Sequence, residues 1–367
     1  MSEVKRARER IPVAVLGATG SVGQRFVALL ADHPWFELRA LTASERSAGR
    51  PYCDAVNWAQ TTPLPPAFAG RVLERTEPEA TEGCPIAFSA LDSSIAGEAE
   101  TAFARAGRLV VSNSRNHRMD PDVPLVVPEV NPDHLELVRP AAERAGRGAI
   151  LTNPNCSTIG LVMALRPLVE AFGVERLHVS TLQAVSGAGL PGVPSLSILD
   201  NAIPFISGEE EKLESEPLKI LGSLGEGGIE SARIAISAQC NRVPVSDGHT
   251  LCVSVGLARR AEARELREAW ESFRSEPQQR GLPSAPLRPI HFLDDPDAPQ
   301  PRLHRDLEGG MAVSVGRLRP CPLLDFRFVA LVHNTLRGAA GGALLLGELA
   351  LARGLVPGHA APRSSPG

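Results

Sequence analysis

Short apolar runs and amphipathic stretches alternate through the first part of the chain. Ile11 to Leu16 is a continuous apolar run. Gly17-Ala-Thr-Gly-Ser-Val-Gly23 follows it, and residues 24–32 then repeat apolar positions at helical spacing, so the order is strand, glycine-rich turn, helix. Residues 36–42 read as a second strand. Residues 85–90 and 108–112 are further apolar runs, with an alanine-rich helix over 94–106 between them. Strands alternating with helices predict a parallel, doubly wound, Rossmann-type sheet. From about Val174 the texture changes to β-rich runs at 177–184, 234–239, 251–257 and 326–332, with helices over 209–221 and 263–275, which predicts a mixed α+β second domain. The proline- and aspartate-rich stretch 278–305 reads as a surface excursion, 338–354 as an apolar helix, 355–367 as a disordered tail and 1–10 as a charged, frayed start.

A length of 367 residues fits about two domains at roughly 150 residues each. The net charge of −4 gives no broad attraction to nucleic acid or to an anionic membrane, and neither is expected as a partner. No run of about 18 apolar residues is present, so no membrane span is expected, and no apolar segment follows the charged start as a secretion signal requires. The expected compartment is the cytoplasm. The six cysteines (53, 84, 156, 240, 252, 321) form no CxxC pair, so neither a metal site nor a disulfide framework is expected.

One cysteine has a distinctive setting. Cys156 follows the turn-forming Asn153-Pro-Asn155 and precedes an apolar helical stretch over 159–168. A helix N-terminus carries partial positive charge and free N–H groups, which favour a thiolate, and the thiolate is the nucleophile. Many cysteines are only small buried hydrophobes; the polar turn before Cys156 argues for chemistry.

The glycine run Gly17-x-x-Gly20-x-x-Gly23 lies between strand and helix, one residue longer at its first spacing than the usual dinucleotide pattern. In that setting glycines permit the tight turn, the approach of backbone to a pyrophosphate and close helix–strand packing. Glu37 has the spacing of a ribose-binding acid but opens the second strand. The strand's end instead offers the hydroxyls of Thr42, Ser44 and Ser47 with Arg46, a set that suits a 2′-phosphate, so NADP is expected over NAD.

His249 lies in the loop Asn241-Arg-Val-Pro-Val-Ser-Asp-Gly-His-Thr250, ahead of a strand, and is a candidate base for the cysteine. Arg118, beyond the C-terminal side of the 108–112 strand, and Arg242 are candidates for anionic groups, because the planar guanidinium matches carboxylate and phosphate. Glu209 and Lys212 are three apart on one helix face. Lysine is scarce (Lys5, Lys212 and Lys219 among 38 basic residues), which marks Lys212. Ser207 and Glu210 fit a capping box at that helix start.

Taken in order, Gly17–Gly23, Ser44–Gly49, Arg118–Asn131, Asn153–Thr158, Gln183–Gly189, Glu209–Lys212 and Arg242–His249 resemble the aspartate-semialdehyde dehydrogenase family over residues 11–353, in its archaeal and fungal branch. The resemblance implies a glyceraldehyde-3-phosphate-dehydrogenase-like fold. It implies an NADP-binding domain over 1–153, completed by the helix near 338–354, and a catalytic and dimerisation domain over 154–337. The implied reaction is NADPH-dependent reductive dephosphorylation of β-aspartyl phosphate in lysine, threonine and methionine biosynthesis. Cys156 would be the nucleophile and His249 its acid–base partner, with Asn155 and Gln183 orienting thioester and substrate. Backbone N–H groups after Asn155 would steady the oxyanion. Arg118, Asn113 and Lys212 would receive phosphate, and Glu209 and Arg242 would hold the substrate's amino and carboxylate ends. Gly17, Thr19, Gly20, Ser21, Val22, Ser89, Ala90, Leu91, Ser186, Gly187 and Asn334 would contact the cofactor. A homodimer or homotetramer is implied. Malonyl-CoA reductases and N-acetyl-glutamyl-phosphate reductases share the cysteine and cofactor loop; Glu209 with Arg242 fits an α-amino acid better than a CoA thioester. A non-catalytic relative would not need both Cys156 and His249.

Overall fold

The computed structural model describes residues 10–139, 142 and 148–361. Residues 1–9 and 362–367, which hold most of the expected frayed start and the end of the expected tail, lie outside the described residues.

The first sheet is built from β1 (Ile11–Leu16), β2 (Phe36–Ala43), β3 (Glu74–Arg75), β4 (Ile86–Ser89), β5 (Leu109–Ser112) and β6 (Ala149–Thr152) in the order β3-β2-β1-β4-β5-β6. Every pairing is parallel. Helix α1 (Ser21–Leu30) joins β1 to β2, and α2 (Ser93–Arg105) joins β4 to β5. Buried on both faces, these strands read as continuous apolar runs, which is why the sequence exposes them. All strands point the same way, so the turns after Leu16, Ser89, Ser112 and Thr152 open on one edge of the sheet, where such folds bind ligands. On one side of the core Phe26 lies tilted against Phe88 (centroids 5.2 Å apart) and Phe36 meets Phe88 edge-on (5.7 Å). The C-terminal helix, Gly341–Ala352, brings Leu344, Leu345 and Leu349 into this same core. Its Gly347 sits so close to the Phe88 ring that an added Cβ would lie 2.8 Å away.

From the first sheet the chain enters α3 (Cys156–Phe172), then β7 (Val174–Gln183), α4 (Glu209–Ile220), the hairpin β8 (Ser223–Gly225) and β9 (Gly228–Glu230), β10 (Ala235–Arg242) and β11 (His249–Leu257). It continues through α5 (Ala263–Ser272), β12 (Ile290–Leu293), β13 (Val313–Pro320), β14 (Phe326–Val332) and a π-helical turn (Leu336–Ala340) into α6 (Gly341–Ala352). The second sheet runs β10-β7-β11-β14-β13-β12, antiparallel at its centre and parallel at both edges. Its inner face packs on α3, which is buried almost all round, and the Trp270 indole of α5 donates to the Ala164 carbonyl of α3 at 2.8 Å.

Three segments differ from the sequence reading. Residues 278–305 are more than a surface excursion: they contain β12, an edge strand, and bury Leu282, Ile290 and Ala298. Four residues among prolines and aspartates are too few to show a β pattern. His249 is not in a loop but is the first residue of β11, fully buried and paired with Val332. In the stretch expected as a disordered tail, Val356 is 3% exposed and packs in the first core.

Candidate active site

Cys156 is the first residue of α3. Asn155 caps that helix: its Oδ1 accepts from the Ser157 amide at 2.9 Å and the Thr158 amide at 3.4 Å. This corrects the oxyanion expectation in part, because two of the helix-start amides are already taken by the cap and the Asn155 amide donates to Glu216 at 2.8 Å. The Cys156 amide is the one that neither side chain takes. Gly338 of the π-helical turn lies against the cysteine, and an added Cβ there would be 2.7 Å from the Cys156 Cβ.

The Cys156 sulfur stands 3.2 Å from Nε2 of His249. On the far side of the ring, Nδ1 accepts from the Ala184 amide at 3.0 Å. Burial pulls the imidazole down to about 3. Burial, and then the Glu209 carboxylate, push the Cys156 thiol up to about 12, while Arg118 and Lys212 pull the other way. Both shifts favour the neutral thiol and the neutral ring in the resting pair.

Glu209 gathers Asn155, Gln183 and Lys212 around its carboxylate. Asn155 Nδ2 donates to both its oxygens at 3.0 Å, Gln183 Nε2 donates at 3.3 Å and Lys212 Nζ donates at 2.7 Å. The i,i+3 pair read from sequence is thus made at the start of α4. The expected capping box is not: Gly208, in the left-handed region at φ 70°, is the cap residue, and the Glu210 carboxylate turns to accept from the Cys240 amide at 2.9 Å. Arg242 is buried on β10 with Nη1 on the Ala184 carbonyl at 2.7 Å. An added Cβ on Gly187 would sit 3.0 Å from that guanidinium and 3.3 Å from the His249 ring.

Arg118 reaches the same region from the turn after β5. Its Nη2 donates to the Asn113 carbonyl at 2.7 Å and its Nη1 to Glu216 at 2.8 Å, while its buried Nε has no partner among the described residues. The Asn113 side chain bonds Asn153 at 2.9 Å and the Ser89 carbonyl at 3.2 Å, fixing the ends of β4, β5 and β6 together.

A cleft of 190 Å³ is lined by Ser21, Val22, Asn113, Arg118, Asn155, Cys156, Ser186, Gly187, Asn334, Gly338 and their neighbours. It therefore joins the glycine-rich turn to the cysteine. Gly17 has φ 77° and approaches the Ala90 carbonyl, where a Cβ would be 2.8 Å away; a Cβ on Gly23 would be 2.2 Å from the Gly17 carbonyl. At Gly20 an added Cβ would meet nothing nearer than 3.6 Å, so backbone is open to a ligand at the start of α1. These are the roles a pyrophosphate cradle asks of its glycines, and the site fits a dinucleotide. The Thr19 carbonyl is held by the Gln24 side chain at 3.0 Å, Ala90 N donates to the Leu16 carbonyl at 2.9 Å, and Leu91 is buried beside Gly17. Asn334 bonds Ser186 Oγ at 2.8 Å.

At the end of β2, Ser44 and Arg46 are exposed and Ser47 is half-buried in the turn closed by its amide on the Ser44 carbonyl at 2.8 Å. Thr42 departs from expectation. It is fully buried with its hydroxyl on Thr76 at 3.0 Å, and its carbonyl instead holds the amides of Gly17 and Ala18.

Sequence reasoning missed Glu216, Lys219, Gly338 and the buried pair of Arg337 with Glu129, bonded at 2.7 and 2.5 Å. Lys219 carried the same signal as Lys212, a lysine in a chain nearly without them. Among the described residues no group of three or more His, Cys, Asp or Glu side chains could hold a metal ion.

Two family models match the chain: semialdehyde dehydrogenase, NAD binding domain, over residues 12–138, and semialdehyde dehydrogenase, dimerisation domain, over 165–337. The chain is 49% identical over 352 residues to the aspartate-semialdehyde dehydrogenase of Schizosaccharomyces pombe, covering 94% of this chain and 99% of the relative. It is 49% identical over 342 residues to that of the archaeon Methanothermobacter thermautotrophicus, covering 92% and 98%. The crystal structure of aspartate-semialdehyde dehydrogenase with NADP from Candida albicans superimposes with a TM-score of 0.89 at 46% identity, over 95% of this chain and 100% of that one. With both family models matched in order and close relatives aligned over nearly its full length, the chain belongs to the aspartate-semialdehyde dehydrogenase family.

Proposed function

We propose that the protein reduces β-aspartyl phosphate to aspartate semialdehyde with NADPH, releasing phosphate, through a thioester on Cys156. The observation that carries this reading is the 3.2 Å approach of the Cys156 sulfur to His249 Nε2, at a helix N-terminus beside the cleft that runs to the glycine-rich turn. The Candida albicans relative's NADP and the family's name support the choice of cofactor and substrate.

Cys156 attacks the acyl carbon, the thiol proton ends on the departing phosphate, and Arg118 with Lys212 receives that phosphate. Held at the glycine-rich turn, NADPH would supply the hydride that reduces the thioester carbon. The resulting oxyanion collapses to the aldehyde and expels the Cys156 thiolate, which takes up one proton. His249, its Nδ1 occupied by the Ala184 amide, faces each of these charges with Nε2–H. Here the acid–base role implied for His249 becomes one of hydrogen-bond donation. The Cys156 amide, left free of the bonds that take the Asn155, Ser157 and Thr158 amides, would add a second donor. Glu209 takes the substrate ammonium and Arg242 its carboxylate, with Asn155 and Gln183 orienting Glu209 and the bound acyl group. Gly17, Thr19, Gly20, Ser21, Val22, Ser89, Ala90, Leu91, Ser186, Gly187 and Asn334 hold the cofactor, and Ser44, Arg46 and Ser47 its 2′-phosphate.

The reading carries with it a cytoplasmic enzyme of amino-acid biosynthesis, assembled as a homodimer or homotetramer. The match to a dimerisation-domain model supports assembly. Among the described residues no helix is long and apolar enough to cross a membrane. The test is phosphate-dependent formation of NADPH from aspartate semialdehyde by the purified chain. Turnover with phosphate is expected; a folded protein that turns over only N-acetyl-glutamate semialdehyde, or malonate semialdehyde with CoA, removes the assignment.

A further inference from the structure

Helix α4 carries two Glu-x-x-Lys pairs seven residues apart, Glu209 with Lys212 and Glu216 with Lys219. Seven residues are nearly two turns, so both pairs lie along almost the same face. The first pair stands at the substrate side of the site. The second is more deeply buried: Glu216 is 2% exposed and Lys219 is 6% exposed. Buried charges are kept where their hydrogen bonds are complete, and these are. Lys219 Nζ donates to the carbonyls of Arg118 at 2.8 Å, Asp120 at 2.7 Å and Val123 at 2.8 Å, which uses all three of its protons. The turn segment that carries Arg118 is irregular, and this ammonium is what gathers its carbonyls. Glu216 divides its two oxygens: Oε1 accepts from Arg118 Nη1 at 2.8 Å and Oε2 from the Asn155 amide at 2.8 Å. One carboxylate thereby spans from the guanidinium to the residue that precedes Cys156.

We infer that Glu216 and Lys219 are positioning residues that set where Arg118 meets the reacting phosphate relative to the Cys156 sulfur. Neither side chain lines the cleft beside Cys156. Lys219 fixes the backbone from which Arg118 projects, and Glu216 fixes the guanidinium plane against the helix that carries the nucleophile. Arg118 spends two of its five N–H donors on Glu216 and the Asn113 carbonyl, and its Nε, buried and without a partner among the described residues, is one of those left for an anion. The inference rests on the reading that Arg118 receives phosphate.

The experiment uses the full chain in the direction of aldehyde oxidation, with inorganic phosphate as the varied substrate. Lys219→Met is expected to raise the KM for phosphate about tenfold while the Kd for NADP stays within about twofold of the parent chain, the pattern of a misplaced anion site beside an intact cofactor site. Glu216→Gln, nearly isosteric, is expected to do the same and serves if the lysine variant does not fold. Lys219→Arg, which keeps the charge but not three compact donors, is expected to restore only part of the phosphate affinity. Arg118→Gln separates the two ideas. If it leaves the phosphate KM unchanged, the reading of Arg118 fails. If it raises that KM while folded Lys219→Met and Glu216→Gln lower thermal stability without touching it, the positioning inference is overturned.

Discussion

The Ala184 amide donates to Nδ1 of His249 at 3.0 Å, and the Ala184 carbonyl accepts from Arg242 at 2.7 Å. One residue just past the end of β7 therefore fixes both the ring that faces the cysteine and the arginine expected to face the substrate carboxylate. A ring that accepts at Nδ1 carries its proton on Nε2, toward the sulfur. An imidazolium has no lone pair for that amide, and burial already disfavours it.

His249 is therefore expected to be neutral and Nε2-protonated in the resting enzyme throughout the ordinary pH range. Nitrogen-15 spectra of histidine-labelled protein, with His249→Asn to assign the signals, will give a pyrrole-type Nε2 and a pyridine-type Nδ1 that do not titrate between about pH 5 and 9, because the folded value is far below the free value of roughly 6.5. A titration near that free value, or the opposite tautomer, would contradict the donor role for His249.

Glu209 opposes the Cys156 thiolate, and its removal should ease ionisation. Glu209→Gln is expected to lower the thiol's pKa and to speed alkylation at pH 8, since a nearby like charge disfavours the charged form. Arg118→Gln is expected to shift it upward. The pH profile of iodoacetamide inactivation reads both. A profile unchanged by Glu209→Gln would mean that the carboxylate does not act on the sulfur, and that an ammonium bound there would not activate it.

Local signals made the first sheet and the cysteine readable in sequence. Its strands are apolar runs between glycine-rich turns, and Asn153-Pro-Asn155 announces the start of α3 within three residues. Glu209 and Lys212 were legible because their contact is itself local. His249 was found as a residue but assigned to a loop, since Asp247-Gly248 is a turn signal and the pairing of His249 with Val332 is made 83 residues away. Glu216, Lys219 and the Arg337–Glu129 pair were missed for a related reason. Each is a charged residue whose partners are distant in sequence, and on its own helix or turn it resembles solvated surface. The Thr42 hydroxyl misled because a polar residue at a strand end can face inward: its partner is Thr76 and not a ligand.

Gly338 lies against Cys156, and the close approach demands a residue without a side chain. Gly338→Ala brings a methyl to within 2.7 Å of the Cys156 Cβ, nearer than carbon atoms pack, so the start of α3 must shift. Displacing the nucleophile by a fraction of an ångström is expected to lower kcat about 100-fold. NADP binding, proposed to rest largely on the turn after β1, is expected to hold. Steady-state kinetics with a cofactor titration checks this, and a kcat within about twofold of the parent chain would show that the site tolerates the methyl.

Arg337 and Glu129 form a bidentate pair that is fully enclosed, with neither side chain exposed to solvent. It fastens the π-helical turn next to Gly338 onto the segment between β5 and β6, so it secures the back of the cleft. Removing one partner strands the other charge in a low-dielectric interior. Glu129→Gln is therefore expected to cost about 3 kcal/mol of unfolding free energy. Replacing both partners removes the stranded charge, so Glu129→Gln with Arg337→Met is expected to be more stable than Glu129→Gln alone. Urea unfolding of the parent chain and the two variants decides the matter. If the double variant is no better than the single one, the loss comes from packing around the introduced amide and not from an unpaired guanidinium.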